Sequence, residues 1–348
     1  MDIKPPLITA IIPTYRRPRL LKRSIESVLR QTYPHLQVCV YDNASGDETS
    51  QIVADLVKKD SRVKYHCHAK NIGAFNNFTY GMEKVNTPFF SFLSDDDLLL
   101  PNFYEVAMYG FNKFPDSMFS AASTIAMTEN REVLDVSLLS WSREGYFKPP
   151  AGMFEMAHGC PAWTSILFRR ETIEEVGLLD EDLMGSADYD FQLRIAIRFP
   201  VVITKKPCAI FLNHESSASG KGNLIHFWPG WKKLNDKISR DARIPLEIKK
   251  QANDLLSEHL QRILISMAIK SMIKREGVDL LKISNIFHGY LKLHFTAFII
   301  KIMSQLCRIP GSGQMVGWAD HLRRSLGKTS RKISQLNREY GHYSNRLK

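Results

Sequence analysis

Along the first hundred residues the apolar positions switch between two spacings. Leu7–Pro13 (LITAIIP) is a short unbroken apolar run, which predicts a strand buried on both faces. Leu20, Leu21, Ile25, Val28 and Leu29 then fall on one face of a helix. Leu36–Tyr41 predicts a second buried strand, and Ile52, Val53, Leu56 and Val57 mark a second helix after a turn at Asn43–Asp47. Val63–His66 and Pro88–Leu93 predict a third and a fourth strand. Strands alternating with helices predict a parallel sheet wrapped by helices. Ligands of such sheets bind beyond the carboxyl ends of the strands, so the polar residues after each strand are the candidates for chemistry.

Residues 102–220 continue as mixed helix and strand. Ser142–Gly159 is rich in Gly, Pro and aromatic residues and predicts a loop over the site. After the polar stretch Ser216–Gly222 the spacing becomes helical. Ile248–Lys274 carries Leu255, Leu256, Leu260, Ile263, Leu264 and Met267 at helical intervals, and Ile283–Leu306 predicts one long apolar helix or a pair. The expected organisation is an α/β domain over 1–220 and a mainly helical region over 221–348.

Charge sharpens that division. Lys and Arg number 23 and Asp and Glu 27 in residues 1–220, a net −4; residues 221–348 hold 24 and 9, a net +15, and the two sum to the chain's +11. The basic excess therefore belongs to the last third, which implies an anionic neighbour such as a membrane surface, a nucleic acid or an acidic acceptor. No DNA- or RNA-binding motif accompanies it, so nucleic acid is not expected as a partner. Five scattered Cys without a C-x-x-C pair point away from a zinc knuckle or disulfide framework and fit a reducing compartment. The apolar run Leu7–Ile12 is short for a signal peptide, and Leu291–Leu306 is interrupted by Lys292, His294 and Lys301. A cytoplasmic protein is expected.

Six polar groups follow the predicted strands. Asp95-Asp96-Asp97 comes directly after the fourth. Adjacent carboxylates repel, and a hard divalent cation such as Mg²⁺ or Mn²⁺ would supply the missing counter-charge; an acidic surface turn is the alternative. Asp42 follows the second strand and could accept a hydrogen bond from a base or ribose, or form an Asx turn with Asn43 and Ser45. Thr14, Tyr15, Arg16 and Arg17 follow the first strand and could line a nucleotide pocket or start a basic helix. Asn71-x-Gly73 offers a turn with amide donors. Asp188 and Asp190 precede an apolar helix, where either could be an N-cap. His214 follows an apolar run and could be structural or a metal ligand.

Taken in this order, Ala10–Arg17, Tyr41–Thr49, Asn71–Gly73, Phe92–Asp97, Val176–Glu181 and Asp188–Asp190 resemble the family 2 glycosyltransferases with the GT-A fold. The resemblance spans roughly residues 7–217. It implies an inverting transferase that moves a sugar from a nucleotide-diphosphate sugar, typically a UDP-sugar, to a hydroxyl of a glycan or lipid-linked acceptor, in cell-envelope or surface polysaccharide synthesis. It implies that Pro13, Thr14, Tyr15, Arg16 and Asn71 border the nucleotide, that Asp42 contacts the base and that Asp95 faces ribose and sugar. It implies that Asp96, Asp97 or both hold Mg²⁺ or Mn²⁺ with help from His214, and that Asp188 is the general base. Ser94, Ala187 and Asn76 stand where the family often has two acidic residues and an Arg. A GT-A-fold scaffold without catalysis is therefore the competing reading.

Residues 221–348 lie outside this resemblance. Phe287, Tyr290, Leu291, Phe295, Phe298, Ile299, Ile300, Ile302, Met303 and Leu306 supply an apolar side flanked by Lys and Arg. That pattern predicts peripheral attachment to an anionic membrane, such as the inner face of the plasma membrane, or else a contact in a homo-oligomer.

Overall fold

Strand β1 (Ile8–Thr14) is buried along its whole length because a strand pairs with it on each side and helices cover both faces. The computed structural model describes residues 5–156, 158–214, 224–242, 244–307, 309–311, 314, 317 and 328–347. Pro18 opens α1 (Pro18–Leu29), where its missing N–H costs nothing, and the helix turns Leu21, Ile25 and Val28 inward. β2 (Leu36–Asp42), α2 (Thr49–Lys59), β3 (Val63–Cys67), α3 (Ala74–Glu83) and β4 (Phe89–Phe92) follow. These strands pair in parallel in the order β3-β2-β1-β4. Each lies within a residue or so of its predicted run.

The second half of the unit is mixed. It comprises β5 (Leu98–Leu99), α4 (Phe103–Lys113), β6 (Phe119–Thr128), β7 (Val133–Val136), β8 (Gly145–Phe147), α5 (Ala151–Met156), β9 (Ile166–Arg169), α6 (Glu171–Val176), α7 (Ala187–Arg198) and β10 (Val201–Asn213). β9 runs antiparallel between β4 and β6, and β10 runs parallel to β6 and antiparallel to β5 and β8. The expected loop Ser142–Gly159 is instead structured: β8 pairs with Val201–Ile203 of β10, and Trp141 and Phe147 are buried edge to face. Phe147 is the aromatic residue of this segment that fills the core.

The chain divides into two units, Met1–Lys221 with Glu339–Lys348, and Gly222–Arg338. The final ten residues thus group with the α/β unit, whereas the reading by composition left them with the basic tail. The proposed boundary at Ser216–Gly222 lies outside the described residues. The second unit holds α8 (Leu224–Arg240), α9 (Leu246–Ile273), α10 (Gly277–Gly289), α11 (His294–Leu306) and most of α12 (Lys328–Tyr340). The apolar run Ile283–Leu306 is therefore a pair of helices. Leu260, Leu264, Met272, Leu280, Ile283, Phe287 and Ile300 form this unit's own core.

Candidate active site

The acidic turn between β4 and β5 receives a different environment at each carboxylate. Asp95 Oδ2 accepts the Thr14 hydroxyl at 2.8 Å and the Tyr15 N–H at 3.4 Å, both from the end of β1. Arg17 Nη1 donates to Asp95 Oδ1 at 3.1 Å and to Asp96 Oδ2 at 2.5 Å. His214 Nε2 lies 3.0 Å from that same Asp96 oxygen. Asp97 turns inward: Oδ1 accepts the Leu212 N–H at 3.0 Å and Oδ2 accepts the Thr164 hydroxyl at 2.6 Å. Burial pushes Asp95 up to about 6 against the pull of Arg17. Burial, with the neighbouring Asp96 charge, pushes Asp97 up to about 8. Repulsion within the triplet is thus relieved by one guanidinium and by one carboxyl that favours its neutral form.

The register of the sheet makes this meeting possible. Antiparallel pairing of Leu98 with Ile210 and Leu99 with Ala209 brings the end of β10 beside the acidic turn. Leu212 and His214 follow in sequence and reach Asp97 and Asp96.

A cavity of about 420 Å³ opens at the carboxyl ends of β1, β2 and β4. Pro13, Thr14, Tyr15, Arg17, Asn43, Asn71, Asn77, Asp95 and Asp96 line it. Asn43 ties the wall together, accepting the Ile72 N–H at 2.8 Å and donating to Asn71 Oδ1 at 3.0 Å. Gly73, at φ +86, makes the turn into α3. Gly81 lets that helix press on β1, since a Cβ there would lie 2.6 Å from Ile11 Cγ2. One end of the cavity is thus walled by uncharged amides and rings, and the other by two carboxylates and a guanidinium.

Five expected residues, Arg16, Asp42, Asp97, Asp188 and His214, are not in the lining of this cavity. Asp42 is buried, with Oδ1 accepting the Ser45 N–H at 2.9 Å and hydroxyl at 2.6 Å and Oδ2 accepting the Tyr65 hydroxyl at 2.6 Å. It forms the Asx turn and lies outside the cavity lining. Arg16 sits at φ +56, its N–H on Ser45 Oγ at 2.9 Å and its Nε on Ser45 O at 3.1 Å. Arg17, one residue on, is the guanidinium at the carboxylates; Pro18, which fixes the start of α1, was the available signal. Asp97 is buried beyond the cavity lining and accepts one protein donor at each of its oxygens. Asn43 and Asn77 belong to the candidate turns after the second and third strands, and both line the cavity.

Asp188 and Asp190, two residues apart on α7, differ in kind. Asp190 is buried, holds Arg194 Nε at 2.7 Å, and through Arg194 secures the carbonyls of Val176 and Leu178. Asp188 keeps an exposed carboxyl and accepts the Tyr189 N–H at 2.8 Å. Although water reaches it, the protein crowded around it desolvates the charge and raises its pKa above the ordinary carboxylate value. Trp163 lies against Phe92 at 4.4 Å between ring centroids and packs on the core. Among the described residues no three His, Cys, Asp or Glu side chains are grouped to hold a metal by themselves.

A mostly parallel sheet with an aspartate turn at its strand ends, completed by an antiparallel half, is a GT-A-like α/β architecture. Residues 9–177 match the model described as glycosyl transferase family 2, and the first unit belongs to that family. An uncharacterized glycosyltransferase of Rickettsia bellii is 24% identical over 318 residues, covering 84% of this chain and 43% of that protein. The GalNAc(5)-diNAcBac-PP-undecaprenol beta-1,3-glucosyltransferase of Campylobacter jejuni is 33% identical over 109 residues, 31% of this chain and 35% of that protein. The crystal structure of S. aureus TarS 1–349 in complex with UDP-GlcNAc superposes with a TM-score of 0.65 at 14% identity, covering 87% of this chain and 91% of that one, a likeness of fold. The chain spans from 32% to 58% of the length of five Rickettsia relatives that it matches.

Proposed function

We propose that the protein transfers a sugar from a UDP-sugar to a hydroxyl of a glycan or lipid-linked saccharide, with inversion at the anomeric carbon, in the synthesis of a cell-envelope or surface polysaccharide. The observation that carries this reading is the cavity in which Pro13, Tyr15 and three asparagines face Arg17, Asp95 and Asp96. Its uncharged wall suits a base and ribose, and its charged end suits a diphosphate accompanied by a cation. The UDP-GlcNAc bound by TarS and the undecaprenol-linked acceptor named for the Campylobacter relative support the donor and acceptor classes.

The donor set at the charged end, a carboxylate oxygen of Asp96 and an imidazole nitrogen of His214, fits Mg²⁺ or Mn²⁺ that takes its remaining ligands from phosphate and water. Bound there, the cation would neutralise the charge that grows on the diphosphate as it leaves. Asp95, held by Thr14 and Tyr15, presents a fixed acceptor towards ribose or sugar hydroxyls. Arg17 adds positive charge at the same end of the cavity. Asp188 takes the proton from the acceptor hydroxyl, and its raised pKa makes it a stronger base than an ordinary carboxylate. A base on the face opposite the leaving group gives direct displacement and inversion.

Calorimetric titration of UDP, GDP and TDP with and without Mn²⁺ tests the reading. The expected result is UDP binding that requires metal and disappears in Asp96→Ala. A folded protein that binds none of these nucleotides would leave the catalytically silent scaffold as the better reading.

A further inference from the structure

The outer face of α11 has no part in the site described above. The helix buries Ala297, Ile300 and Ser304, and Cys307 just beyond it, in the core of the second unit. Its opposite side exposes Phe295 by 77%, Phe298 by 60%, Ile299 by 42%, Ile302 by 43% and Leu306 by 40%, and Ile309 follows at 53%. Positions 295, 298, 299, 302, 306 and 309 form one stripe at helical spacing. Isolated apolar residues on a surface are ordinary, but a continuous stripe with two largely bare Phe rings marks an interaction surface.

The sequence that carries the stripe is one-sided in charge. No Asp or Glu occurs between Asp279 and Asp320, while Lys282, Lys292, Lys301 and Arg308 do. Lys282 is held by Asp279 at 3.6 Å. Lys292 and Lys301 are exposed and make no ion pair among the described residues. A second copy of the chain is a poor occupant, because a two-fold contact would set these cations against one another with no carboxylate in the segment to offset them. A nucleic acid would use the cations but leave the Ile and Leu stripe in water. An anionic bilayer accepts both, with acyl chains under the stripe and headgroups at the lysines. Among the described residues no helix is long and apolar enough to cross a membrane, so the helix would lie in the plane of the surface.

We propose that α11 is a membrane-docking helix that rests on anionic lipid through Phe295, Phe298, Ile302 and Leu306, with Lys292 and Lys301 at the headgroups. The proposal does not depend on the transfer reading, because it rests on a different unit of the chain.

Flotation of the full chain with phosphatidylcholine vesicles, with and without phosphatidylglycerol, provides the test. The full chain is expected to float with the anionic vesicles, and added salt is expected to release part of it. Phe295→Ser with Phe298→Ser should lower the partition coefficient by about tenfold or more. Lys292→Glu with Lys301→Glu should lower it by about tenfold on anionic vesicles and leave neutral ones unaffected. Both variants should keep the parental melting temperature and UDP binding; if the Phe variant melts early, the Lys variant decides alone. Failure of the parent chain to float, or equal flotation with neutral vesicles, overturns the proposal. So does a parent dimer in light scattering that the Phe substitutions split, since the stripe would then be a contact between copies. UDP binding measured on the same samples separates this outcome from failure of the transferase reading.

Discussion

In the first unit, buried polar groups reach across long stretches of chain: Thr14 to Asp95, Arg17 to Asp96, Thr164 and Leu212 to Asp97, and His214 to Asp96. In the second, the buried side chains are chiefly apolar, and a polar contact such as Ser284 Oγ to the Ala297 carbonyl at 2.7 Å joins neighbouring helices. Buried carboxylates are costly and persist only when each is paired. The first unit tolerates that cost where a charged ligand would bind. The second keeps its charge in water and presents an apolar stripe outward. The proposed chemistry belongs to the first arrangement and the proposed surface attachment to the second.

The largest expected effect sharpens the contrast within α7. Asp188→Asn should lower turnover by about 10²–10⁴ with UDP binding kept, measured by product formation and calorimetry. Near-normal turnover would remove Asp188 as the base. Next comes a break in the second unit alone. Phe287 is fully buried, so Phe287→Ala should destabilise that unit by about 3–5 kcal/mol, seen as one shifted transition in denaturant, with UDP binding unchanged. Concurrent loss of UDP binding would show that the units fold as one.

A smaller effect separates Asp97 from its neighbours. Asp97→Ala strands the Leu212 N–H and should cost about 1–3 kcal/mol, whereas Asp97→Asn keeps an acceptor for Leu212 and a partner for Thr164. The Asn variant should therefore retain metal-dependent UDP binding; its loss would restore Asp97 as a ligand. Asp97 also carries an effect in pH. The folded pKa of Asp97, about 8, lies above the ordinary 3.8, so between these values the folded chain holds a proton that the unfolded chain has released. Stability measured by urea unfolding of metal-free protein should thus be highest at the acid end of the window and fall as pH rises through it. Asp97→Asn should flatten that slope.

Much of the fold was legible because β1 to β4 are short apolar runs separated by amphipathic helices, and each signal is local. The same locality limits the site. The triplet read as a candidate site, but no local pattern distinguishes Asp97, whose partners are Thr164 and Leu212, from Asp96, whose partners are Arg17 and His214. At Asp42, the Asx turn and the base contact were both open, and the partner of its second oxygen, Tyr65, comes from the neighbouring strand. Arg16 and Arg17 differ by one step of backbone, and a positive φ at Arg16 decides which guanidinium faces the carboxylates. The Ser142–Gly159 segment read as a loop because β8 is three residues long and gains its form from pairing with β10.

The pairing of β5 with β10 also has a consequence for biosynthesis. Asp97 waits 115 positions for the Leu212 N–H, and Asp96 waits 118 for His214. Domains emerge from the ribosome N-terminus first, at about 5–20 residues per second. For several seconds the nascent chain therefore carries its nucleotide-side strands and acidic turn without the strand that completes them. The acidic turn therefore gains its buried partners only when the whole first sheet has closed.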